Sequence, residues 1–258
     1  LDQTIGTNDY TVVGEWNLWY MGNPAPEVTE QDVTSLIVNN TFDPSMGSKD
    51  EKRIDGWAVS GALNGYKQNS CSFNKGTFDL HQNLSGLPKG SYKVTVHTYY
   101  RAGSYEEEEA NILAGKDTHL MKLYANTAEK NYITSIMNLS EGSKGVTLPN
   151  GINTKTINGI TVPDGTSASV ACFAEGLFLN ELPFYVGKDG TVTIGLKLDQ
   201  TIGSNDYTVV GEWNLYYYGS GNNVEDVPTS IEEVEIGESI KPVAVPVAYY
   251  NINGQRQS

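Results

Sequence analysis

The sequence has little of what a metal centre, a disulfide framework or a membrane span requires. It has two cysteines, Cys71 and Cys172, far apart in the chain. They are either buried free thiols or a disulfide between two strands, and the sequence leaves both open. The three histidines, His81, His97 and His119, have no spacing that would clasp zinc. No apolar run approaches the ~18 residues of a membrane-spanning helix, so we expect no transmembrane segment.

Basic residues are also scarce. The chain has 17 Lys and Arg against 31 Asp and Glu, a formal net charge of −14. Such a charge repels nucleic acid and anionic membrane surfaces, so we expect no nucleic-acid partner. Phenylalanine is rare (6) while tyrosine (16) and glycine (27) are abundant. Together with many short alternating runs, this composition predicts an all-β protein with a tyrosine-rich surface.

One segment of the sequence occurs twice. Residues 1–22 match residues 198–219, and only Thr7/Ser204, Trp19/Tyr216 and Met21/Tyr218 differ. Repetition at a constant offset is typical of modular arrays, in which each copy closes with the same strands. We therefore interpret the chain as part of a tandem array, which favours binding or display over a self-contained enzyme.

The repeat sets the predicted domain organisation. Residues 1–22 are expected to be the terminal strands of a preceding copy, 23–220 a β-sandwich module, and 221–258 an acidic linker with a truncated C-terminal β segment. Within the first part, residues 7–22 form an orphan strand that we expect to mediate self-association at an exposed sheet edge. In the last part, Asn253-Gly254 predicts a hairpin turn whose returning strand is missing.

Alternating runs predict the strands of the module. They lie at residues 36–42, 77–84, 91–101, 120–125, 191–198 and 207–218. Short strands joined by glycine-rich turns predict an antiparallel β-sandwich. Three segments are ambiguous: residues 106–109 and 127–131 could be short helices or loop, and 167–173 a short helix or strand.

The period-2 pattern separates core from outward residues. On one predicted strand Tyr92, Val94, Val96 and Tyr100 point inward. On another, Trp213, Leu215 and Tyr217 do so, with Glu212 and Asn214 among the outward residues. Trp57 is predicted to be core. The candidate ligand-binding residues on outward faces are His81, His97, Tyr99, Arg101, Tyr216 and Tyr218. Tyrosine offers sugar rings an apolar face with a polar tip; the alternative is that these rings only stabilise the sheets.

No catalytic motif is recognisable. A nucleophile elbow, a phosphate-binding loop and a dinucleotide fingerprint are all missing from the sequence. The run 106–109 is interpreted as a solvated loop rather than an acid/base pair, although 31 acidic residues leave a glycosidase-type pair open. We predict a non-enzymatic glycan-binding module. A structural or adhesive protein-interaction module and a hydrolytic or hydrolase-associated domain are the alternatives.

Seven short motifs carry a resemblance to a known group of modules. They include Gln82-Asn-Leu-Ser-Gly-Leu-Pro-Lys-Gly-Ser-Tyr92, Phe184-Tyr-Val-Gly-Lys-Asp-Gly-Thr-Val-Thr-Ile-Gly195 and Asp206-Tyr-Thr-Val-Val-Gly-Glu-Trp-Asn-Leu-Tyr-Tyr217. Over residues 34–219 the chain resembles carbohydrate-binding modules with a galactose-binding-like jelly roll, found in surface and secreted proteins of gut Bacteroidetes. The resemblance implies a polysaccharide or glycan partner and a secreted or cell-surface location. Residues 248–256 resemble the start of a C-terminal sorting module.

The resemblance also suggests a candidate site for a structural calcium ion. Related jelly rolls often hold Ca²⁺ with an acidic residue after the first-strand phenylalanine and an aspartate in the last strand. Asp43 fits the first role, whereas Gly211 stands where the aspartate is usual, with Glu212 beside it. Because Ca²⁺ takes six to eight oxygen ligands, Asp43 and Glu212 make a weak candidate metal site, and no other cofactor is expected.

Overall fold

The computed structural model describes residues 29–43, 45, 54–221 and 224–227, and two short strands near the C-terminus. The chain divides into two units, Leu1–Val227 and Pro228–Ser258. The repeated residues 1–22, and with them the predicted self-association through residues 7–22, lie outside the described residues, as does most of the predicted linker.

The described part of the first unit is built mainly from antiparallel strands. They are β1 Gln31–Asp32, β2 Ala58–Tyr66, β3 Cys71–Ser85, β4 Gly90–Arg101, β5 Met121–Thr127, β6 Asn131–Ser135, β7 Thr154–Ile157, β8 Ile160–Pro163, β9 Leu179–Val186, β10 Thr191–Leu198 and β11 Tyr207–Tyr217. Three helices interrupt them: α1 Tyr105–Leu113, α2 Leu139–Ser143 and α3 Thr166–Ala174. Single 3₁₀ turns occur at Thr34–Leu36 and Val224–Asp226.

The strands form two layers that share β3. Its first residues, 71–74, pair with β11, and its later residues, 78–85, pair with β10. Between them Lys75 adopts a left-handed backbone (φ 60°) that redirects the strand. The front sheet therefore runs β3–β11–β4–β9, with β1 added beside the end of β11. The back sheet runs β2–β3–β10–β5–β6.

The inner faces of the two sheets meet in one hydrophobic core. It contains Val94, Val96 and Leu215 of the front sheet with Leu80 and Ile194 of the back sheet. The alternation of apolar and polar residues in the sequence explains this core, because every second side chain of a strand points to the same face of the sheet. The predicted antiparallel β-sandwich is confirmed.

Three tryptophan-centred contacts close one end of this core. The Trp57 ring lies 4.9 Å from the Trp213 ring and 5.3 Å from the Phe42 ring, centroid to centroid. Trp57 also donates its indole N–H to the Asn39 carbonyl oxygen. The prediction that Trp57 belongs to the core is confirmed.

A helical cap, composed of α1, α2, α3 and the β7–β8 hairpin, covers one half of the outer face of the front sheet. A second hydrophobic cluster fills the space between cap and sheet, with Tyr99 and Val209 from the sheet and Leu139 and Phe173 from the cap. The alternation in β4 predicts an outward face along the whole strand. The structure corrects this, because half of that face is buried under the cap.

The two cysteines are free and buried. Cys71 lies in the core between the sheets and Cys172 in the cluster under the cap. Of the two interpretations left open by the sequence, buried free thiols is the one that the structure supports.

Several predicted elements differ in the structure. Residues 36–42 are not a strand: the segment leaves a 3₁₀ turn and passes through left-handed backbone at Asn39 (φ 52°) and Phe42 (φ 51°). Residues 106–109 are helical, because Ser104 and Glu107 form a capping box at the start of α1. Residues 167–173 belong to helix α3.

The second unit contains two described strands. Strand β12 (Tyr249–Tyr250) pairs antiparallel with β13 (Arg256–Gln257). A short returning strand therefore follows the predicted Asn253-Gly254 turn, which corrects the expectation that it is missing. No helix among the described residues is long and apolar enough to cross a membrane.

Candidate functional site

The half of the front sheet that the cap leaves uncovered presents a polar surface, which we call the open face. Glu212 on β11 is exposed there, and Asn214 and Tyr216 on β11 and Glu181 on β9 are partly exposed. Lys93 and Thr95 on β4 lie between them and are buried (8% and 3% exposed). The strand register sets them side by side, with Lys93 opposite Tyr216 and Thr95 opposite both Asn214 and Glu181. Their neighbours in sequence, such as Val94 and Leu215, point into the core.

The ammonium group of Lys93 organises one end of the open face. Its Nζ lies 3.6 Å from Glu181 Oε1 and 3.8 Å from Glu30 Oε2. It also lies 5.5 Å from the Tyr216 ring centroid and 5.7 Å from that of Tyr218, within cation–π range. Tyr218 donates its phenolic hydroxyl to Glu30. Ion pairs and rings thus hold the long lysine chain in one geometry, with little of its side chain exposed (9%).

Carboxylates surround the partly exposed ring of Tyr216. Burial raises the pKa of Tyr216, and the carboxylates of Asp32, Glu30, Glu212 and Glu181 raise it further, in that order. The phenol therefore remains a protonated hydrogen-bond donor at any ordinary pH. The Tyr216 side chain is partly exposed and Glu212 is exposed, so both are accessible to a ligand.

A β-bulge marks the border between the open face and the cap. The register of β11 against β4 shifts between Val210 and Trp213, which places Gly211 and Glu212 opposite His97. A Cβ atom on Gly211 would lie 2.6 Å from Cδ2 of Phe173. The close packing of α3 on the sheet thus explains why no larger residue stands at position 211.

His97 sits at this border. Its Nδ1 lies 2.8 Å from the Leu177 carbonyl oxygen, so Nδ1 carries the proton that it donates there. Its ring lies 5.9 Å from the Phe173 ring. The hydrogen bond fixes the ring orientation and leaves Nε2 as the nitrogen that can face a ligand. Of the predicted site residues, His97 and Tyr216 lie on or beside the open face and are partly exposed. Tyr218 lies next to Lys93 but is 3% exposed and donates its hydroxyl to Glu30, so its assignment as a ligand-binding residue is corrected.

Tyr99 is not available to a ligand. Its side chain is 1% exposed, and its hydroxyl is 2.8 Å from the Ser169 hydroxyl of α3. Burial raises its pKa, as expected for a phenol sealed from water. The assignment of Tyr99 as a ligand-binding residue is therefore corrected: it anchors the cap to the sheet.

Arg101 also belongs to the cap attachment. Its guanidinium carbon lies 4.3 Å from the Tyr105 ring and 5.2 Å from the Tyr207 ring. It donates hydrogen bonds to the carbonyl oxygens of Gly103 and Asn205. Along β4 it is eight residues from Lys93, or about 26 Å at the rise of a strand. Arg101 and Tyr216 therefore do not converge on one ligand.

His81 lies on the other side of the molecule, on the outer face of the back sheet. Its Nδ1 is 3.0 Å from Asp79 Oδ1, which also accepts the Tyr124 hydroxyl at 2.8 Å. The six predicted site residues are thus divided among the open face, the cap attachment and the back sheet.

Sequence reasoning missed three residues of the site region, Lys93, Glu181 and Glu30. Lys93 was visible as an outward residue of an alternating strand, but nothing in the sequence marked it among other lysines. Glu181 alternates with Leu182 in β9, which is a detectable signal. The pairing of β9 with β4, which brings these side chains together, is not encoded in local pattern.

Both candidate calcium ligands, Asp43 and Glu212, are among the described residues. Asp43 Oδ1 accepts the backbone N–H of Ser45 at 2.8 Å, and Glu212 is exposed on the bulge. Within the described ranges, no group of three or more His, Cys, Asp or Glu side chains could hold a metal ion. Asp43 and Glu212 alone do not complete the shell that Ca²⁺ requires, and the bound calcium stays a prediction.

The attachment role of Arg101 can be tested. We expect Arg101→Lys to lower the free energy of unfolding by about 1–2 kcal/mol, because lysine lacks the planar guanidinium that packs against the two rings and reaches both carbonyl oxygens. Urea unfolding followed by circular dichroism would measure it. Lys155→Arg, a conservative change at an exposed position of β7, is the control. Unchanged stability of Arg101→Lys would contradict the assignment.

Comparison with known proteins gives weak similarities. No protein-family description and no curated protein matches the chain. Among solved structures, it is similar to a family 61 carbohydrate-binding module in complex with β-1,4-galactotriose, with 13% identity, a TM-score of 0.36, and coverage of 69% of this chain and 98% of that chain. A mutant of a family 29 carbohydrate-binding module has 12% identity and a TM-score of 0.32, with 79% and 99% covered.

A third similarity is to a Clostridium thermocellum xylanase fragment crystallised with xylohexaose. It has 12% identity and a TM-score of 0.26, with 65% of this chain and 27% of that chain covered.

Proposed function

We propose that the module predicted at residues 23–220 binds glycans without catalysis and that the open face is its binding surface. The observation that carries the proposal is the partly exposed Tyr216 ring set among fixed polar groups on a rigid sheet. Sugars are bound when their C–H faces lie on an aromatic ring and their hydroxyls meet planar polar side chains. Tyr216 supplies the ring, and Asn214, Glu181 and Glu212 supply the acceptors and donors.

The polar groups are held in place before a ligand arrives. Lys93 is fixed by two carboxylates and two rings, and His97 by the Leu177 carbonyl. Groups that are already ordered lose little conformational entropy on binding, which favours affinity. The site is therefore suited to recognition by hydrogen bonds and stacking.

The same geometry disfavours glycoside hydrolysis. The carboxylates of Glu30 and Glu181 both lie within 4 Å of the Lys93 ammonium nitrogen. A glycosidase needs the scissile bond between its two carboxyl groups. Here the lysine occupies that space, so the pair is arranged to position Lys93 rather than to cleave a sugar.

An adhesive, protein-binding role is supported less well. Such a role calls for a contiguous exposed apolar patch. The large exposed apolar side chains among the described residues are Leu36, Val38, Leu113, Ile133 and Val146. Apart from the neighbouring Leu36 and Val38, they lie on different elements of the fold.

The proposed setting is an exported, multi-modular protein that works at the cell surface or after secretion. The repeated segment supports it, because tandem modules raise the avidity of individually weak sites. The resemblance of the sequence motifs to modules of exported Bacteroidetes proteins, and of residues 248–256 to a sorting module, points the same way. In this setting the ligand is a glycan outside the cell.

The binding proposal is tested with the protein and a glycan array covering plant, host and microbial glycans, followed by calorimetry on the ligands found. We expect Tyr216→Ala to weaken binding at least about tenfold, the effect of losing ~1.4 kcal/mol at a stacking residue. Tyr132→Ala is the matched control, since Tyr132 also lies 4.8 Å from a lysine, Lys130, but on the edge strand β6. No binding to any glycan, or equal binding by both variants, would overturn the proposal.

A further inference from the structure

The charges around the aromatic ring of the open face are unbalanced. Four carboxylates act on the Tyr216 ring, those of Asp32, Glu30, Glu212 and Glu181. Lys93 is the one ammonium group that the described residues place within cation–π range of this ring. Four negative charges and one positive charge leave a formal charge of −3 around Tyr216. A ligand that stacks on this ring therefore enters a field that repels anions.

The ammonium group of Lys93 does not offset this field for a ligand. Its Nζ lies 3.6 Å from Glu181 Oε1 and 3.8 Å from Glu30 Oε2, so two carboxylates already neutralise it. Lys93 is also buried among the strands. An anionic ligand can pair with Lys93 only by displacing one of these carboxylates, which is then left beside like charges.

The other two carboxylates face solvent. Asp32 lies directly opposite Tyr216 in the pairing of β1 with β11, and Glu212 lies on the bulge of β11. Both residues are exposed. Asp32 Oδ1 accepts the backbone N–H of Thr34 at 2.8 Å, which holds the pKa of this carboxyl below its usual range. Asp32 is therefore ionised at any ordinary pH, beside the ring on which a sugar would stack.

Neutral sugars match the hydrogen-bonding groups at these positions. Ionised Asp32 and Glu212 are acceptors only, and a sugar hydroxyl that donates to a carboxylate forms a charge-assisted hydrogen bond. His97 donates from Nδ1 to the Leu177 carbonyl oxygen, so its Nε2 is an acceptor as well. A uronate, sialate or sulfate group is itself an anionic acceptor. It finds neither a donor nor an opposite charge at these three side chains.

We propose that the open face takes glycans without acidic groups and that Asp32 and Glu212 exclude acidic glycans. The inference rests on the proposed function, because it concerns the ligand of the same surface. Neutral glycans stack on Tyr216 and donate hydroxyls to the two carboxylates, whereas glycans with uronate, sialate or sulfate are repelled by them. This exclusion is local and is not an effect of the total charge of −14, because salt screens exposed charges beyond ~8 Å.

The test uses the full chain and an array on which each neutral glycan stands beside an acidic derivative of the same backbone, such as lactose beside sialyllactose. We expect each bound neutral glycan to bind at least about tenfold more tightly than its acidic partner in calorimetry. An acidic glycan that binds as tightly as its neutral partner, and is weakened by Tyr216→Ala, would overturn this inference and leave the proposed function intact. Binding of no glycan would overturn both.

Two double variants separate the local charges from the total charge. Asp32→Asn/Glu212→Gln keeps the size of both side chains and removes their charges, so the preference for the neutral member of a pair should fall at least about tenfold. Glu106→Gln/Asp199→Asn removes two charges at exposed positions on α1 and after β10, and should leave the preference unchanged. An unchanged preference in the first variant, or an equal fall in both, would overturn the assignment of Asp32 and Glu212.

Discussion

Replacing Trp57 by alanine is expected to lower the free energy of unfolding by about 4 kcal/mol, within the range seen when large buried side chains are truncated. Trp57 is 7% exposed and lies against the rings of Trp213 and Phe42. Its removal leaves a cavity at the place where β11 meets the loop before β2. It also leaves the Asn39 carbonyl oxygen without the indole N–H that it accepts, which adds to the loss.

Trp57→Phe separates the two contributions. Phenylalanine keeps most of the ring contact but lacks the N–H donor, so we expect a loss of roughly 1–2 kcal/mol. Urea unfolding monitored by circular dichroism gives both values. A change below about 1 kcal/mol for Trp57→Ala would show that the aromatic contacts contribute little.

The second large effect is a loss of stability as pH rises through the titration of Glu108. This side chain is fully buried under the cap, where it accepts N–H groups of Ala102 and Ser140. Burial raises its pKa from 4.5 to about 7, although those two N–H groups act in the opposite direction. The folded protein therefore holds this proton more tightly than the unfolded chain does.

The sign of the pH dependence follows from that difference. Between about pH 4.5 and 7 the folded state binds more protons at Glu108 than the unfolded state, so stability falls as pH rises. Below this window the contribution is fully present, and above it the carboxylate is ionised in both states. At ~1.36 kcal/mol for each pKa unit, the loss across the window is about 3 kcal/mol.

Glu108→Gln separates the contribution of Glu108 to the pH dependence of stability from that of the other charged groups. The amide does not titrate, so the difference in unfolding free energy between pH 5 and pH 8 should shrink by about 2.5 kcal/mol relative to the unaltered chain, since part of the ~3 kcal/mol is already lost at pH 5. Glu106→Gln, an exposed position on the same helix, should leave the pH dependence unchanged. An identical slope in the chain and in Glu108→Gln would refute the role of Glu108.

Much of the fold could be predicted from the sequence because the sandwich is encoded in local alternation. The run at residues 191–198 matches β10 at both ends, and the inward residues of β4 and β11 lie in the core as expected. The strand predicted at residues 36–42 was wrong, because an apolar run does not reveal that Asn39 and Phe42 adopt left-handed backbone. The helix α1 was left open, although Ser104 and Glu107 carry the capping-box spacing.

The candidate site was less predictable, since a site on a sheet depends on which strands are neighbours. The outward position of Tyr216 followed from alternation, whereas its approach to Lys93 follows from the pairing of β11 with β4. The burial of Tyr99 depends on α3, a segment seventy residues further along the chain. Period-2 patterns give the direction of a side chain but do not show what lies above it.

Because β3 passes from one sheet to the other at Lys75, one continuous strand belongs to both layers. The two sheets cannot separate or shift relative to each other without breaking the backbone hydrogen bonds of β3 to both β11 and β10. The surface that carries Tyr216 is consequently supported by a back sheet on the other side of the hydrophobic core. Exposed residues of the front sheet can therefore be substituted without a change in the sandwich beneath them.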